Sequence, residues 1–305
     1  MDFAIKLTNV SRQFGAHRAV AGVSLTVAPG ELVGIVGPDG AGKTTLARLA
    51  AGVLAPGGGT VEPESRGRVG YLSGRFSLYP ELTVRENLLF FAKVYGMTAR
   101  EAAAEADRLL AWVGLLEFKA RLAGALSGGM RQKLALACAV VHHPPTLILD
   151  EPTTAVDPLA RVDFWALLQE QARAGRAVLV TTPYMDEAEH CDRVVLLHQG
   201  QVLATGTAAE LKTRVPCRMA LLAPGGGAGP GASAAAPSRA DMAAAASALP
   251  GLRWAIPLGA GIRVALDPGA PLTPPPGYTL TPVPANLEDA YLWLTGATEE
   301  EVPAR

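Results

Sequence analysis

The sequence predicts an α/β fold with a mostly parallel core sheet, and three observations carry that prediction. Short apolar runs at 32–36, 146–149 and 177–182 each end in a polar turn, as buried strands do. Helical periodicity separates them, most extensively between 82 and 140. The first run opens directly into Gly37, Pro38, Asp39, Gly40, Ala41, Gly42, Lys43, Thr44 and Thr45, which fits G-x-x-x-x-G-K-[ST] between a strand and a helix. Strands alternating with helices place ligands at the carboxyl ends of a parallel sheet.

Taken in order, residues 4–10 and 23–27 read as strands closed by the turn Ala28-Pro29-Gly30. The glycine-rich loop follows, and a helix is expected over 46–51. Pro56-Gly57-Gly58-Gly59 marks a turn-rich stretch before a strand at 69–72. From 82 to 140 the pattern is helical, with Leu88, Leu89, Phe91 and Ala92 on one stretch and Leu109, Leu110 and Val113 on another. Its aromatic residues read as core rather than as a ligand box. Past Arg214 the composition shifts, and 223–237 are almost entirely Gly, Ala, Pro and Ser. A hairpin around Gly259-Ala260-Gly261 and a closing helix over 286–294 end the reading. Expected domains are therefore 1–215, with a helical subdomain at about 74–140; a linker at 216–250 with room for a strand and a helix; and a small α+β appendage at 251–305.

Composition narrows the function. With 49% hydrophobic and 18% charged residues the 305-residue chain is globular rather than disordered. A formal net charge of −1 gives no electrostatic drive toward nucleic acid or anionic lipid. Cys138, Cys191 and Cys217 lack metal-ligand spacing and read as reduced cytoplasmic thiols. Neither a signal peptide nor a membrane span is expected, so another chain would supply any span.

The chemistry starts at the loop. Glycines there let the backbone close on phosphates, and the N–H groups of the loop and the following helix face the anion. Lys43 should reach the β- and γ-phosphates and the Thr44 hydroxyl should hold Mg²⁺. The apolar strand ending in Asp150-Glu151 supplies the remaining parts: Asp150 beside the cation and Glu151 to orient and deprotonate a water. These residues imply a nucleoside triphosphate site.

Leu126-Ser127-Gly128-Gly129-Met130-Arg131-Gln132 resembles the signature of ABC ATPases, with Met130 where Gln is usual. Over residues 3–215 the order and spacing of the elements resemble that family. The resemblance implies ATP and Mg²⁺ as ligands and a P-loop NTPase core with an antiparallel β subdomain and a helical subdomain. It also implies a head-to-tail pair of cassettes, as a homodimer or a heterodimer, acting with a transmembrane permease subunit. Ser127, Gly128 and Gly129, ahead of a helix from about 130, would contact the partner's nucleotide. Thr154-Ala155-Val156-Asp157 resembles the D-loop, with Asp157 at the seam. Phe14 falls where the family stacks an aromatic ring on adenine, a position that also suits a core Phe. Residues 75–79, 184–192 and 286–291 look like exporters of drugs, polysaccharides or other bulky solutes, with the cassette peripheral on the inner face of the cell membrane.

Two positions depart from the family. Gly74 stands where the lid loop carries Gln, and Pro183 stands where His contacts the γ-phosphate. Gly has no side chain, and Pro offers neither a side-chain donor nor an N–H. Proline suits the start of a helix, which explains its tolerance at 183. His190 would lie roughly 10 Å along such a helix, and His142 and His143 precede the Asp-Glu strand, so no histidine substitutes. Losing such a contact costs about 10²–10³ in rate. The expectation is an ATP-binding exporter subunit, similar to the atypical first half of tandem multidrug exporters, with a weakened site of its own. The alternatives are a near-inactive regulatory subunit of a heteromeric ATPase and, against the near-neutral charge, a protein acting on ribosomes or DNA.

Overall fold

The computed structural model describes residues 4–63, 69–73, 78–154, 156–225 and 237–296. Gly74 and most of the segment 75–79 lie outside them, as does Ala155. The chain divides into two compact units, Met1–Ala208 and Ala209–Arg305.

In the first unit, β1 (Ile5–Phe14) and β2 (His17–Val27) form an antiparallel hairpin. The buried positions Ile5, Leu7 and Val10 on β1 and Val23, Leu25 and Val27 on β2 share one face, which gives the alternation of a half-exposed sheet. β3 (Leu32–Val36) follows, and α1 (Lys43–Ala50) grows out of the glycine loop. β4 (Gly58–Pro63) pairs with β1 and completes a three-stranded sheet in the order β2-β1-β4. This strand was hidden in the turn-rich reading of 56–59. Gly59 adopts φ +77° there, and a Cβ would lie 2.2 Å from the Asn9 carbonyl oxygen, so only glycine lets the strand dock.

β5 (Val69–Leu72) opens the helical region, made of α2 (Val84–Val94), α3 (Ala99–Trp112) and α4 (Gly128–Val140). Thr83 with Glu86 and Thr98 with Glu101 form capping boxes that satisfy first-turn amides of α2 and α3. Leu88, Ala92, Leu109, Leu110 and Val113 are buried as expected, whereas Leu89 and Phe91 are half-buried. Phe90 departs from the expected core: it is exposed and sits edge-on to Tyr79.

The central sheet adds β6 (Thr146–Asp150), β7 (Ala177–Thr182), β8 (Arg193–His198) and β9 (Gln201–Gly206), with α5 (Pro158–Arg173) between β6 and β7. Its order is β5-β6-β7-β3-β8-β9, parallel except for β9. Every residue of β3, β6 and β7 is buried, which is why these strands read as unbroken apolar runs. β6, β7 and β3 end side by side, with Val36 paired to Thr182 and Asp150 to Thr181.

After α6 (Ala208–Lys212), the second unit holds β10 (Arg218–Pro224), α7 (Arg239–Ser247), β11 (Leu252–Leu258), β12 (Gly261–Leu266), β13 (Tyr278–Pro282) and α8 (Leu287–Thr295). Its sheet runs β11-β12-β10-β13. Ala220 and Leu222 pack with Met242 and Ala246 of α7, whereas Met219 packs with Trp254 and Leu292 of α8. Alternation along β10 thus gives each helix one face of the sheet. The stretch 216–250 contains β10 and α7, so its strand lies inside the sheet rather than in a bridging segment.

Candidate nucleotide-binding site

The loop between β3 and α1 has the sterics of a phosphate cradle. A Cβ on Gly37 would lie 2.2 Å from the Leu197 carbonyl oxygen, and one on Gly42 would lie 2.3 Å from that of Ala19. Gly42 also takes φ +102° as it caps α1, and Gly40 takes φ +79°. Neither conformation suits an L side chain. Lys43, only 3% exposed, donates to the carbonyls of Gly37 at 2.9 Å and Pro38 at 3.0 Å. Its Nζ lies 3.2 Å from Glu151 Oε1 and 3.9 Å from Asp39 Oδ1. Ala41 is buried behind the loop.

The carboxylates expected at the end of β6 are joined to this loop. Asp150 Oδ1 accepts from Thr44 Oγ1 at 3.0 Å and from Thr181 Oγ1 at 2.8 Å. A hydroxyl and a carboxylate oxygen so close form a hard-oxygen pair suited to a divalent cation whose other ligands are phosphates and water. Among the described residues no cluster of three metal-ligating side chains exists, so phosphate and water oxygens would have to complete such a shell. Glu151 takes φ +49°, a left-handed conformation unusual outside glycine. Its N–H is held by both the carbonyl and hydroxyl oxygens of Thr181, at 3.1 and 3.0 Å. That pair of bonds aims Glu151 toward Lys43. Thr181 went unnoticed in the sequence, although two consecutive threonines ending an apolar strand were a readable signal.

A cavity of about 350 Å³ is lined by Phe14, His17, Asp39, Thr44, Thr45 and Glu151, together with Ala19, Gly40, Gly42 and Lys43. Phe14 is 47% exposed, which removes the core alternative, and the Arg12 guanidinium covers its ring at 5.1 Å. His17, cross-strand to Phe14, joins the same wall and was not anticipated. A larger void of about 930 Å³, bounded by Leu49, Val53, Leu54, Tyr71 and Tyr95 among others, has no lysine, carboxylate or phosphate loop among the described residues that line it. It does not rival this site.

Pro183 follows the buried end of β7 but starts no helix; a turn leads instead to a 3₁₀ segment at Glu187–His190. The helical spacing expected for His190 is therefore replaced by a bend, and His190 stacks on Trp165. His142 stacks on Tyr95, and His143 lies 3.5 Å from Glu105. The hydroxyls flanking Pro183 are committed too: Thr181 donates to Asp150, and Thr182 donates to Glu187. Burial, first of all, pushes the Cys138 and Cys191 thiols well above their ordinary range, so neither supplies a nucleophile.

Ser127 caps α4 by accepting from the Met130 N–H at 3.3 Å. The helix begins at Gly128, so both glycines lie in its first turn instead of ahead of it. Asp157 caps α5 by accepting from the Ala160 N–H at 3.0 Å. A Cβ on Gly129 would lie 2.6 Å from Ala160 Cβ, so the two helix starts are pressed together. Ser127, Gly128, Gly129 and Asp157 do not line the cavity around Lys43.

Residues 20–154 match the ABC transporter family. The probable multidrug ABC transporter ATP-binding protein YbhF of Escherichia coli (strain K12) is 38% identical over 223 residues, 70% of this chain but 39% of that protein's length. The Nod factor export ATP-binding protein I of Burkholderia orbicola (strain AU 1054) is 36% identical over 308 residues, 96% of this chain and 97% of that protein. The dimeric structure of MJ0796, a bacterial ABC transporter cassette, superposes with a TM-score of 0.60 and 28% identity over 67% of this chain and 98% of its own. The phosphate loop, the paired carboxylates and these likenesses agree: the chain belongs to the ABC transporter family, as one of its ATPase cassettes.

Proposed function

We propose that this chain is the ATP-binding subunit of an exporter, coupling ATP binding and hydrolysis to solute efflux through a separate permease subunit on the inner face of the membrane. The joined constellation of Lys43, Thr44, Asp150 and Glu151 around one cavity carries the reading. The names of its relatives, which are multidrug and Nod factor export proteins, support the direction of transport. No helix among the described residues is long and apolar enough to cross a membrane, so a separate permease is part of the proposal.

In this reading ATP phosphates lie on the loop amides with Lys43 and the base lies on Phe14. Thr44 and Asp150 would hold Mg²⁺, whose charge would offset that of the phosphates. Glu151, held by Thr181, accepts a proton from the attacking water. Ser127, Gly128, Gly129 and Asp157 serve a second cassette, because they stand apart from the chain's own cavity.

The site is weakened at Pro183. Among the described residues, Thr181, Thr182, His142, His143 and His190 do not take over, since all have other partners. Gly74 is proposed as a second cause on sequence alone. A near-inactive regulatory subunit paired with a stronger ATPase is the second reading, and Pro183 favours it. Equilibrium ATP binding and steady-state turnover test both, with Lys43→Ala and Glu151→Gln as controls. Tight Lys43-dependent binding with turnover about 10²-fold below an ordinary 10 s⁻¹ supports the weakened site. Glu151-dependent turnover at the ordinary rate overturns it.

A further inference from the structure

In the first unit, a buried carboxylate lies outside the proposed ATP chemistry. Glu187 is 2% exposed and follows Pro183 by four residues. Its Oε2 accepts from Thr153 Oγ1 at 2.9 Å and from Thr182 Oγ1. Its Oε1 lies 3.2 Å from Arg161 Nε, an ion pair without hydrogen-bond alignment. The Arg161 guanidinium is fixed from another side by the Tyr184 ring at 4.5 Å. Both threonines are buried.

These partners come from three functional segments. Thr182 ends β7, one residue after the threonine that holds Asp150 and Glu151. Thr153 follows Glu151 by two residues. Arg161 is in the first turn of α5, beside Ala160, which abuts Gly129 of α4. A buried carboxylate is costly unless paired and hydrogen-bonded, so its retention at this junction calls for a reason.

We propose that Glu187 is a positioning residue: it locks Thr153 and the first turn of α5 onto the end of β7 and so sets where Asp157 and the α4 glycines are presented. Its catalytic consequence rests on the two-cassette reading above, because those groups act on a partner's nucleotide. Glu187 touches no substrate. It ties the chain's own carboxylates to the surface the chain offers.

The test uses the full chain carrying Glu151→Gln to block turnover, with Glu187→Gln or the milder Thr153→Val added. Hydrogen exchange is followed in the first turns of α4 and α5, ATP affinity with a fluorescent ATP analogue, and Mg-ATP-driven self-association by sedimentation. Expected are exchange about 10-fold faster in those two turns, with β3 and α1 unchanged, ATP affinity within about 3-fold, and any ATP-driven dimer weakened about 10-fold, as for loss of one charged hydrogen-bond partner. Unchanged exchange at both turns, or equal acceleration throughout the chain, overturns the proposal. Should Glu187→Gln fail to fold, Thr153→Val decides by the same criteria. A parent that never self-associates counts against the homodimer reading, while the exchange result still decides for or against Glu187.

Discussion

Lys43 and Glu151 form an ion pair at 3.2 Å in which the cation proposed to bind phosphate is held by the group proposed to activate water. With the Gly37 and Pro38 carbonyls, which accept from it, Glu151 supplies the third oxygen close to an ammonium that has three donors. An incoming phosphate must replace one of them, and the two carbonyls belong to the loop that cradles it. In the proposed reading Glu151 is the movable partner, and binding ATP would free its carboxylate. Glu151→Gln should therefore tighten ATP binding by about 3–10-fold, the scale of one partly exposed charge interaction, while stopping turnover. Equilibrium titration of both forms checks this; weaker binding by the variant would contradict it.

Pro183→His should recover the contact whose loss is proposed to weaken the site. The two hydroxyls just before it, those of Thr181 and Thr182, already donate to Asp150 and Glu187. A histidine there adds one donor facing the phosphate, so kcat should rise about 10–10²-fold, a large part of what one preorganised donor is worth. Affinity for ATP should change little, since Lys43 and the loop amides are untouched. Steady-state turnover separates this from a limit set elsewhere, which would leave kcat flat.

Gly129→Ala tests the contact between the two helix starts. Its Cβ would fall 2.6 Å from Ala160 Cβ and 3.6 Å from Val156 Cγ1, with no flexible side chain to yield. Overpacking of this kind costs about 1–3 kcal/mol, visible as a lower midpoint in denaturant. ATP binding at the chain's own loop should persist, because Gly129 does not line that cavity.

Much of this was legible before the fold was known, for physical reasons. The phosphate loop is written in consecutive residues because one turn must present several amides at once. The parallel core shows as unbroken apolar runs because β3, β6 and β7 are buried throughout. What escaped depends on tertiary pairing. β4 is a glycine-rich edge strand, defined by pairing with β1 rather than by its own propensity. Thr181 and Glu187 act on residues 30–34 positions away, and spacing in the chain does not say which residues they reach. Pro183 shows the opposite failure: local rules offered a helix start, whereas the chain turns into the 3₁₀ segment at Glu187–His190.

The capping boxes predict a pH-dependent contribution. Hydrogen bonds from the Thr98 hydroxyl and then its N–H hold Glu101 below the ordinary carboxylate value of 4.5, and the Thr83 N–H and hydroxyl do the same for Glu86. A depressed folded value means the stabilisation is complete above the unfolded pKa and disappears as pH falls through the folded one. Thr98→Ala should thus lower Tm at pH 7, and its difference from the parent should shrink once pH drops below about 4.5. Thermal melts at pH 7 and pH 3 measure both ends of that window.

Asp289 predicts the behaviour of the second unit. It is fully buried, caps α8 through Asn286, and accepts from Arg263 Nε at 3.0 Å. Arg263 also bonds the Pro284 carbonyl, so its guanidinium spans β12 and the approach to α8. Removing the carboxylate leaves that guanidinium largely buried and uncompensated, which typically costs about 3–5 kcal/mol. Asp289→Ala should therefore make β10–α8 sensitive to protease at temperatures the parent resists, with cleavage mapping after residue 209. Pairing it with Arg263→Met removes the stranded charge as well as its partner, and should recover most of the loss because apolar packing replaces a desolvated ion pair. A double variant no better than Asp289→Ala would show that the α8 cap, rather than the charge pair, holds the helix to its sheet.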